Sequence, residues 1–258
     1  MRGTPTGHSY YDPQGDELYF RAFYPSDLWT IDAENKVATR AFDGSTDLMA
    51  AEEVSSNKTT ATIKPQFIFK HLLTQLRINF VADNDEAIKE WGEVTNIELV
   101  NTNTILSHSL NGGEDVFTQQ NQDPDKTESL LFYEMSKAGD VYKFTDIPLT
   151  TNRVGLSTTS KPGAYVLAQA IDTKDQQYSL KIYSANAING VVVPITLQKK
   201  VKTTDADGNA TTGLEPFTGN TKGWAFEITL TFKDLSNIEA KAETEPWIED
   251  GVATVDVD

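Results

Sequence analysis

The stretch "FIFKHLLTQLRINF", which runs from Phe67 to Phe80, changes its hydrophobic pattern halfway along. Up to Leu73 the odd positions carry the apolar residues Phe67, Phe69 and Leu73, with His71 among them. From Leu72 onward the apolar residues occupy the even positions. A β-strand points alternate side chains to opposite faces, so a regular strand does not exchange its apolar set in the middle. The pattern favours a long strand with a β-bulge near Leu72 and Leu73, whose two halves serve different sheets of a sandwich. A helix is the alternative, because Leu72, Leu73 and Leu76 also share one helical face.

The rest of the chain contains many short alternating segments, which are typical of strands. The clearest is "GWAFEITLTF", where Trp224 lies in phase with Phe226 and the apolar residues after it, so Trp224 is assigned to the core. Pro194 has no N–H to donate and places its own segment at a sheet edge or a bulge. The other strand candidates are "ELYFRAFY", "VTNIELV", "YVLAQAI", "YSLKIYS" and "GVVVPITL".

One short helix is predicted in "DEAIKEW", with Asn84 as its N-cap and Gly92 available to end it. The polar stretches from Leu110 to Glu128 and from Lys202 to Gly219 are expected to be long surface loops. Together these patterns predict a mostly β, sandwich-like chain with one short helix.

Composition narrows the classes of function. The chain has 258 residues, which fits one large β domain or two smaller ones. Its 38 acidic and 22 basic side chains give a net charge of -16, which repels phosphate backbones and anionic lipid and argues against nucleic-acid partners. The chain contains no cysteine, which excludes disulfides and thiol nucleophiles. Neither a signal peptide nor a transmembrane run is visible, so either the protein stays in the cytoplasm or its targeting sequence is missing from this chain.

No catalytic, cofactor or metal site is predicted. The histidines His8, His71 and His108 lack the spacing of a zinc site, and His71 lies among apolar strand residues, as a core or boundary imidazole does. "DADGN", Asp205 to Asn209, starts like a calcium loop, but Ala210 and Pro216 stand where that loop needs glycine and glutamate, so a hairpin turn is the simpler interpretation. Paired catalytic carboxylates leave a β-sandwich hydrolase open as a hypothesis.

Two of the four tryptophans are candidate ligand contacts. Trp29 and Trp247 follow short loops, where an exposed indole ring would offer a stacking surface to a sugar. This arrangement would suit a carbohydrate-binding module.

Four segments, in this order, resemble the fimbrillin proteins of the Bacteroidetes, the Mfa-like subunits of type V pili. "YYDPQGDELYFRAFYP" is similar to an early aromatic and proline segment of that family, and "STDLMAA" is similar to its Thr-Asp-Leu-Met-Ala motif. "FIFKHLLTQLRINF" is similar to its Phe-x-His-x-Leu-x-x-Leu strand, which makes His71 a structural position. "KGWAFEITLTF" followed by "IEAKAETEPWIEDG" resembles the closing strands.

The resemblance implies two transthyretin-like β-sandwich domains in tandem, made as a lipoprotein precursor and exported to the outer membrane and the fimbrium. The subunits would then polymerise by strand exchange. This chain lacks the signal peptide, the lipidation cysteine and much of the expected first domain. Residues 1–55 are therefore interpreted as a remnant of the N-terminal domain and residues 56–258 as the C-terminal β-sandwich domain.

The expected function is that of a structural or adhesive subunit of a cell-surface fimbria, with other fimbrial subunits as partners and without enzymatic activity. The alternative is a carbohydrate-binding module or tip adhesin that binds host or bacterial surface glycans or proteins. The strand-exchange candidates are at the C-terminus, where Ala253, Val255 and Val257 alternate with polar residues. This segment could instead pair within its own domain.

Overall fold

The computed structural model describes residues 15–57, 67–120, 128–135, 141–143, 150–151, 164–204, 209–234, 237–245 and 247. These ranges contain twenty-one strands and one helix. The first half comprises β1 Leu18–Phe20, β2 Phe23–Tyr24, β3 Thr30–Asp32, β4 Val37–Ala41, β5 Met49–Ala51, β6 Val54–Ser56, β7 Phe69–His71, β8 Thr74–Ala82, α1 Asp85–Trp91, β9 Val94–Thr102, β10 Ile105–Ser109 and β11 Val116–Thr118. The second half comprises β12 Glu128–Leu131, β13 Tyr133–Met135, β14 Val141–Lys143, β15 Ala164–Ala168, β16 Ser179–Ser184, β17 Val191–Pro194, β18 Thr196–Thr204, β19 Ala210–Pro216, β20 Ala225–Asp234 and β21 Asn237–Glu245.

The strands form five sheets. The largest has eight strands in the order β14-β13-β15-β8-β20-β21-β18-β19, in which β8 and β20 run parallel, as do β21 and β18. Two four-stranded sheets have the orders β12-β9-β16-β17 and β11-β10-β4-β3. A three-stranded sheet, β2-β5-β7, and the pair β1-β6 complete the set. The prediction of a mostly β fold is confirmed.

The main sandwich is formed by the eight-stranded sheet and the sheet β12-β9-β16-β17. Their facing side chains build the larger core, in which Phe226, Ile228 and Leu230 of β20 meet Ile97 of β9 and Ile182 of β16. All five of these residues are fully buried. Alternation of apolar and polar residues therefore creates the sandwich that the sequence pattern predicts. The transthyretin-like assignment stays a prediction.

A second, smaller core lies on the opposite face of β15. Along this strand Ala164, Val166 and Ala168 point into the larger core, whereas Tyr165 and Leu167 point into the smaller one. Both faces of β15 are therefore buried. The buried members of the smaller core are Leu48, Ala50, Leu72, Leu73, Leu106, Tyr165 and Leu167.

The change of pattern in Phe67–Phe80 marks a change of sheet. β7 ends at His71 and pairs with β5, whereas β8 begins at Thr74 and lies between β15 and β20. The two residues between them are both buried in the smaller core. The prediction that the two halves of this stretch belong to different sheets is confirmed. The predicted bulge in a continuous strand is replaced by a break of two residues between two strands. The helical alternative is wrong.

The helix has the predicted limits and caps. The side chain of Asn84 accepts a hydrogen bond from the N–H of Ala87 at 2.9 Å, and Gly92, with φ of 70°, follows the last turn. Its inner face buries Ala87 and Trp91 in the larger core.

The two predicted long loops are partly strand. The first contains β11, which pairs with β10, and the second contains β19, which pairs with β18 as a hairpin. Polar and threonine-rich composition suggested loops, yet such residues also suit exposed edge strands. The turn predicted at "DADGN" falls between these paired strands, and residues 205–208 lie outside the described residues. Pro194 ends β17, which is an edge strand as predicted.

Strand pairing crosses the expected domain boundary near residue 55. β4 pairs with β10, and β5 pairs with β7, so residues before and after the boundary share sheets. They also share the smaller core, which contains Leu48 and Leu167. The division into residues 1–55 and 56–258 stays a prediction. In the described part of the chain, no helix is long and apolar enough to cross a membrane.

Candidate functional site

His71 lies at the end of β7 in a partly buried niche. Its Nδ1 is 2.5 Å from Oδ2 of Asp47, and only 18% of the His71 side chain and 17% of the Asp47 side chain are exposed. The carboxylate fixes the orientation of the imidazole ring. This arrangement agrees with the structural role expected for His71.

Trp247 stacks directly on His71. The ring centroids are 3.9 Å apart and the planes are inclined by 21°. Trp247 is partly buried and packs against the smaller core. One face of this candidate ligand contact is therefore covered by the imidazole of the same chain.

Trp29, the other candidate, is held within the loop that precedes β3. Its Nε1–H donates to the carbonyl oxygen of Pro25 at 2.9 Å, and its ring centroid is 4.7 Å from that of Phe23. The guanidinium of Arg40 lies 5.9 Å from the ring centre. Trp29 also packs against the smaller core, so the structure brings both candidate tryptophans to one core from separate elements.

Trp224 departs from its predicted place in the core. It is 44% exposed and precedes β20, which begins at Ala225. Its ring meets Phe217 edge-on, with the centroids 5.1 Å apart. The strand begins one residue later than the alternation in "GWAFEITLTF" predicts, because Gly223, with φ of 72°, turns the chain just before it.

A polar cluster that the sequence did not predict joins His108, Asp115 and Lys222. Nδ1 of His108 is 2.7 Å from one carboxylate oxygen of Asp115, and Nζ of Lys222 donates to the other at 2.5 Å. His108 lies in β10. Lys222 and Asp115 are 107 residues apart, so no local sequence signal marks their meeting.

The electrostatics of this cluster favour an ionised Asp115. Burial opposes ionisation, since only 6% of the side chain is exposed. The hydrogen bonds from His108 and Lys222 and the positive charge of Lys222 outweigh that effect, so the pKa of the carboxyl lies below its ordinary value. The cluster therefore acts as an ionic link between β10 and the turn before β20.

Among the residues that the structure describes, no group of three or more histidine, aspartate or glutamate side chains is arranged to hold a metal ion. The strand-exchange candidates Ala253, Val255 and Val257 lie outside the described residues, as does everything after Trp247.

Comparison with solved structures places this fold among proteins of Bacteroides. A protein from Bacteroides ovatus ATCC 8483 has a TM-score of 0.53 at 15% identity, over 97% of this chain and 75% of the other. A protein from Bacteroides uniformis ATCC 8492 has a TM-score of 0.51 at 17% identity, over 93% of this chain and 76% of the other. A role in cell adhesion has been provisionally ascribed to both proteins. No curated protein sequence matches the chain.

Sequence comparison extends this likeness to a family. The sequence profile described as fimbrillin-like, or Mfa-like, matches residues 2–247, which is nearly the whole chain. The match covers the four segments whose order suggested the resemblance, the last of them as far as Trp247. The chain therefore belongs to the fimbrillin-like family.

Proposed function

We propose that this protein is a structural or adhesive subunit of a cell-surface fimbria and that it assembles with other fimbrial subunits by β-strand exchange. The observation that carries the proposal is the fimbrillin-like match over residues 2–247. Location at the outer membrane and the fimbrium, and synthesis as a lipoprotein precursor, form part of the same proposal. A targeting segment would then precede the residues of this chain.

Adhesion is supported by the two Bacteroides proteins of similar fold, to which a role in adhesion has been ascribed. A function in binding, without enzymatic activity, agrees with the packing of the two histidines that the structure describes. His71 is stacked under Trp247, and His108 is engaged with Asp115. Each carries out a structural task in the fold.

Strand exchange is supported by the pattern of the C-terminal residues. Ala253, Val255 and Val257 alternate with polar residues and would offer one apolar face to a groove in a neighbouring subunit. Main-chain hydrogen bonds would supply affinity, and the alternating side chains would supply register.

Deletion of residues 251–258 tests this assembly. The expected result is a folded monomer that no longer enters polymers formed with the full-length precursor, measured by native electrophoresis and electron microscopy. The matched control is the double substitution Thr254→Ser and Asp256→Asn, which alters the polar face of the segment and should leave polymerisation intact. If the deletion unfolds the protein, as circular dichroism would report, the segment pairs within its own domain and the proposed exchange is wrong.

Glycan binding is the alternative function, and the exposure of Trp224 favours it more than the environment of Trp29 or Trp247 does. Trp224 is 44% exposed, whereas the other two pack against the smaller core. A glycan array would decide the matter. Saturable binding that is lost in Trp224→Ala would support the alternative, and loss in Trp29→Ala or Trp247→Ala without unfolding would support the original candidates.

A further inference from the structure

The loop between β2 and β3 displays a leucine to solvent in an unfavourable backbone conformation. Leu28 is 79% exposed and has φ of 61°, a region that residues with a Cβ atom avoid. An exposed leucine gains nothing from burial in its own chain, and its backbone is strained. Strain of this kind persists where the surrounding structure enforces it, and it often marks a functional position.

The surrounding structure does enforce it. The indole N–H of Trp29 donates to the carbonyl of Pro25, and Nη1 of the buried Arg40 donates to the carbonyl of Asp27. The ring of Trp29 is fixed in turn against Phe23. Leu28 is therefore presented on a braced loop, which limits the conformational entropy that a partner would have to overcome.

Ile31, three residues after Leu28, lines an open groove. The volume of the groove is about 370 Å³, and Ala33 and Leu110 are its other apolar lining residues. Arg21, Lys36 and Glu53 also line it. Arg21 and Glu53 are paired with each other at 2.8 Å. Lys36 is exposed and forms no ion pair with an acidic residue of the described ranges.

The loop carries the matching features. Beside Leu28 lies Asp27, whose side chain is 68% exposed although one oxygen is 3.4 Å from Arg40. The loop thus offers an apolar side chain next to an acid, and the lining of the groove combines apolar side chains with the cation of Lys36. Leu28 and Ile31 are three residues apart, so the loop and the groove adjoin in the chain.

We propose that the partner at this surface is a second copy of the same chain, related by a two-fold axis. Leu28 of each copy enters the groove of the other, and Asp27 of each faces Lys36 of the other. A two-fold arrangement satisfies both contacts at once, because residue i meets residue j wherever j meets i. The contact goes beyond strand exchange and is independent of it, since it uses none of residues 248–258.

The first test is sedimentation velocity of the full chain over a range of concentrations. Wild type is expected to show a concentration-dependent dimer, and Leu28→Gly is expected to raise the dissociation constant at least tenfold, as loss of a central apolar anchor does. Glycine accepts a φ of 61° without strain, so the Leu28→Gly protein should be at least as stable to heat as wild type. Leu28→Asp should dissociate the dimer. Its matched control is Leu214→Asp, which places the same charge at another exposed leucine and should leave the dimer intact.

The second test exchanges the charges. Asp27→Lys and Lys36→Asp should each weaken the dimer, and the double variant should recover most of the lost affinity. Deletion of residues 251–258 should leave this dimer unchanged, which separates it from the proposed strand exchange. The inference is overturned if wild type remains monomeric at every concentration, or if Leu28→Gly associates as strongly as wild type.

Discussion

Asp115 links two segments of the chain that no sequence pattern connects. Its carboxylate is hydrogen-bonded to His108 of β10 and to Lys222 in the turn that precedes β20. The sequence does not show which acidic residue pairs with His108, because 38 acidic residues offer too many possible pairs. Which acid meets which base is decided by tertiary packing. The pairing of these side chains therefore could not be predicted from the sequence.

The ionic link at Asp115 should make stability depend on pH. The pKa of its carboxyl is lowered in the folded protein from the ordinary value of 3.8, because hydrogen bonds and positive charge outweigh burial. Stabilisation is therefore fully present above the unfolded value and is lost as pH falls through the folded pKa. We expect Asp115→Asn to lower the free energy of unfolding by about 1–3 kcal/mol near neutral pH.

Urea denaturation of wild type and Asp115→Asn across the acidic range measures this effect. The difference between the two proteins should begin to shrink as pH falls below the ordinary value of 3.8, where the unfolded state takes up a proton. It should disappear below the lower pKa of the folded state, where Asp115 of the folded wild type also loses its charge. Asp32→Asn provides a comparison at an exposed aspartate whose pKa is also lowered, mainly by hydrogen bonds from Asn35. A difference at Asp115 that does not change with pH would contradict the assignment.

At the scale of elements, the predictions that rest on patterns within a few neighbouring residues are the ones that the structure confirms. The helix was predicted with its limits because Asn84 and Gly92 act within a few residues of the backbone groups that they satisfy. The break at Leu72 and Leu73 was visible because strand alternation is also local. The strand β19 was assigned to a loop, although the hairpin turn before it was predicted, because threonine-rich edge strands differ little from loops in composition.

This hairpin projects beyond its neighbour in the sheet. β21 pairs with β18 only at Thr196–Gln198, whereas β18 and β19 remain paired as far as Thr204 and Ala210. The residues toward the tip are mostly exposed. We expect replacement of residues 203–211 by Asn-Gly to change the free energy of unfolding by less than about 1 kcal/mol, because little apolar surface is lost and the dipeptide suits a two-residue hairpin turn.

Chemical denaturation would measure the effect of shortening the hairpin. The matched control is Leu197→Ala at the base of the same strand, where the side chain is 7% exposed and belongs to the larger core. That substitution should lower the free energy of unfolding by about 2–4 kcal/mol. A loss of similar size in the shortened hairpin would show that its tip stabilises the fold.

At the scale of the whole molecule, the two cores share one strand. β15 is buried on both faces and borders β8, which enters the sheet directly after the smaller core residues Leu72 and Leu73. Neither core can lose its packing without exposing part of β15. Sequence patterns indicated a sandwich but not this coupling, because alternation assigns a buried face to a strand without naming what covers it.

We therefore expect the protein to unfold in a single cooperative transition. Differential scanning calorimetry should give equal calorimetric and van't Hoff enthalpies. Leu167→Ala, in the smaller core, should lower the temperature of the whole transition and leave it single. Two resolved transitions would instead support the predicted division near residue 55.

The place of β20 in the eight-stranded sheet also constrains how the protein reaches its native state. β20 lies between β8 and β21, and the Thr74 hydroxyl at the start of β8 donates to Thr221, which is 147 residues later in the chain. Loops of such length close at a high entropic cost before any contact compensates for it, so folding should be slow compared with that of helical proteins. β8 must also wait, with one edge open, until the last described strands have left the ribosome. During that interval β8 presents a row of unpaired N–H and C=O groups, to which a strand of another chain could pair.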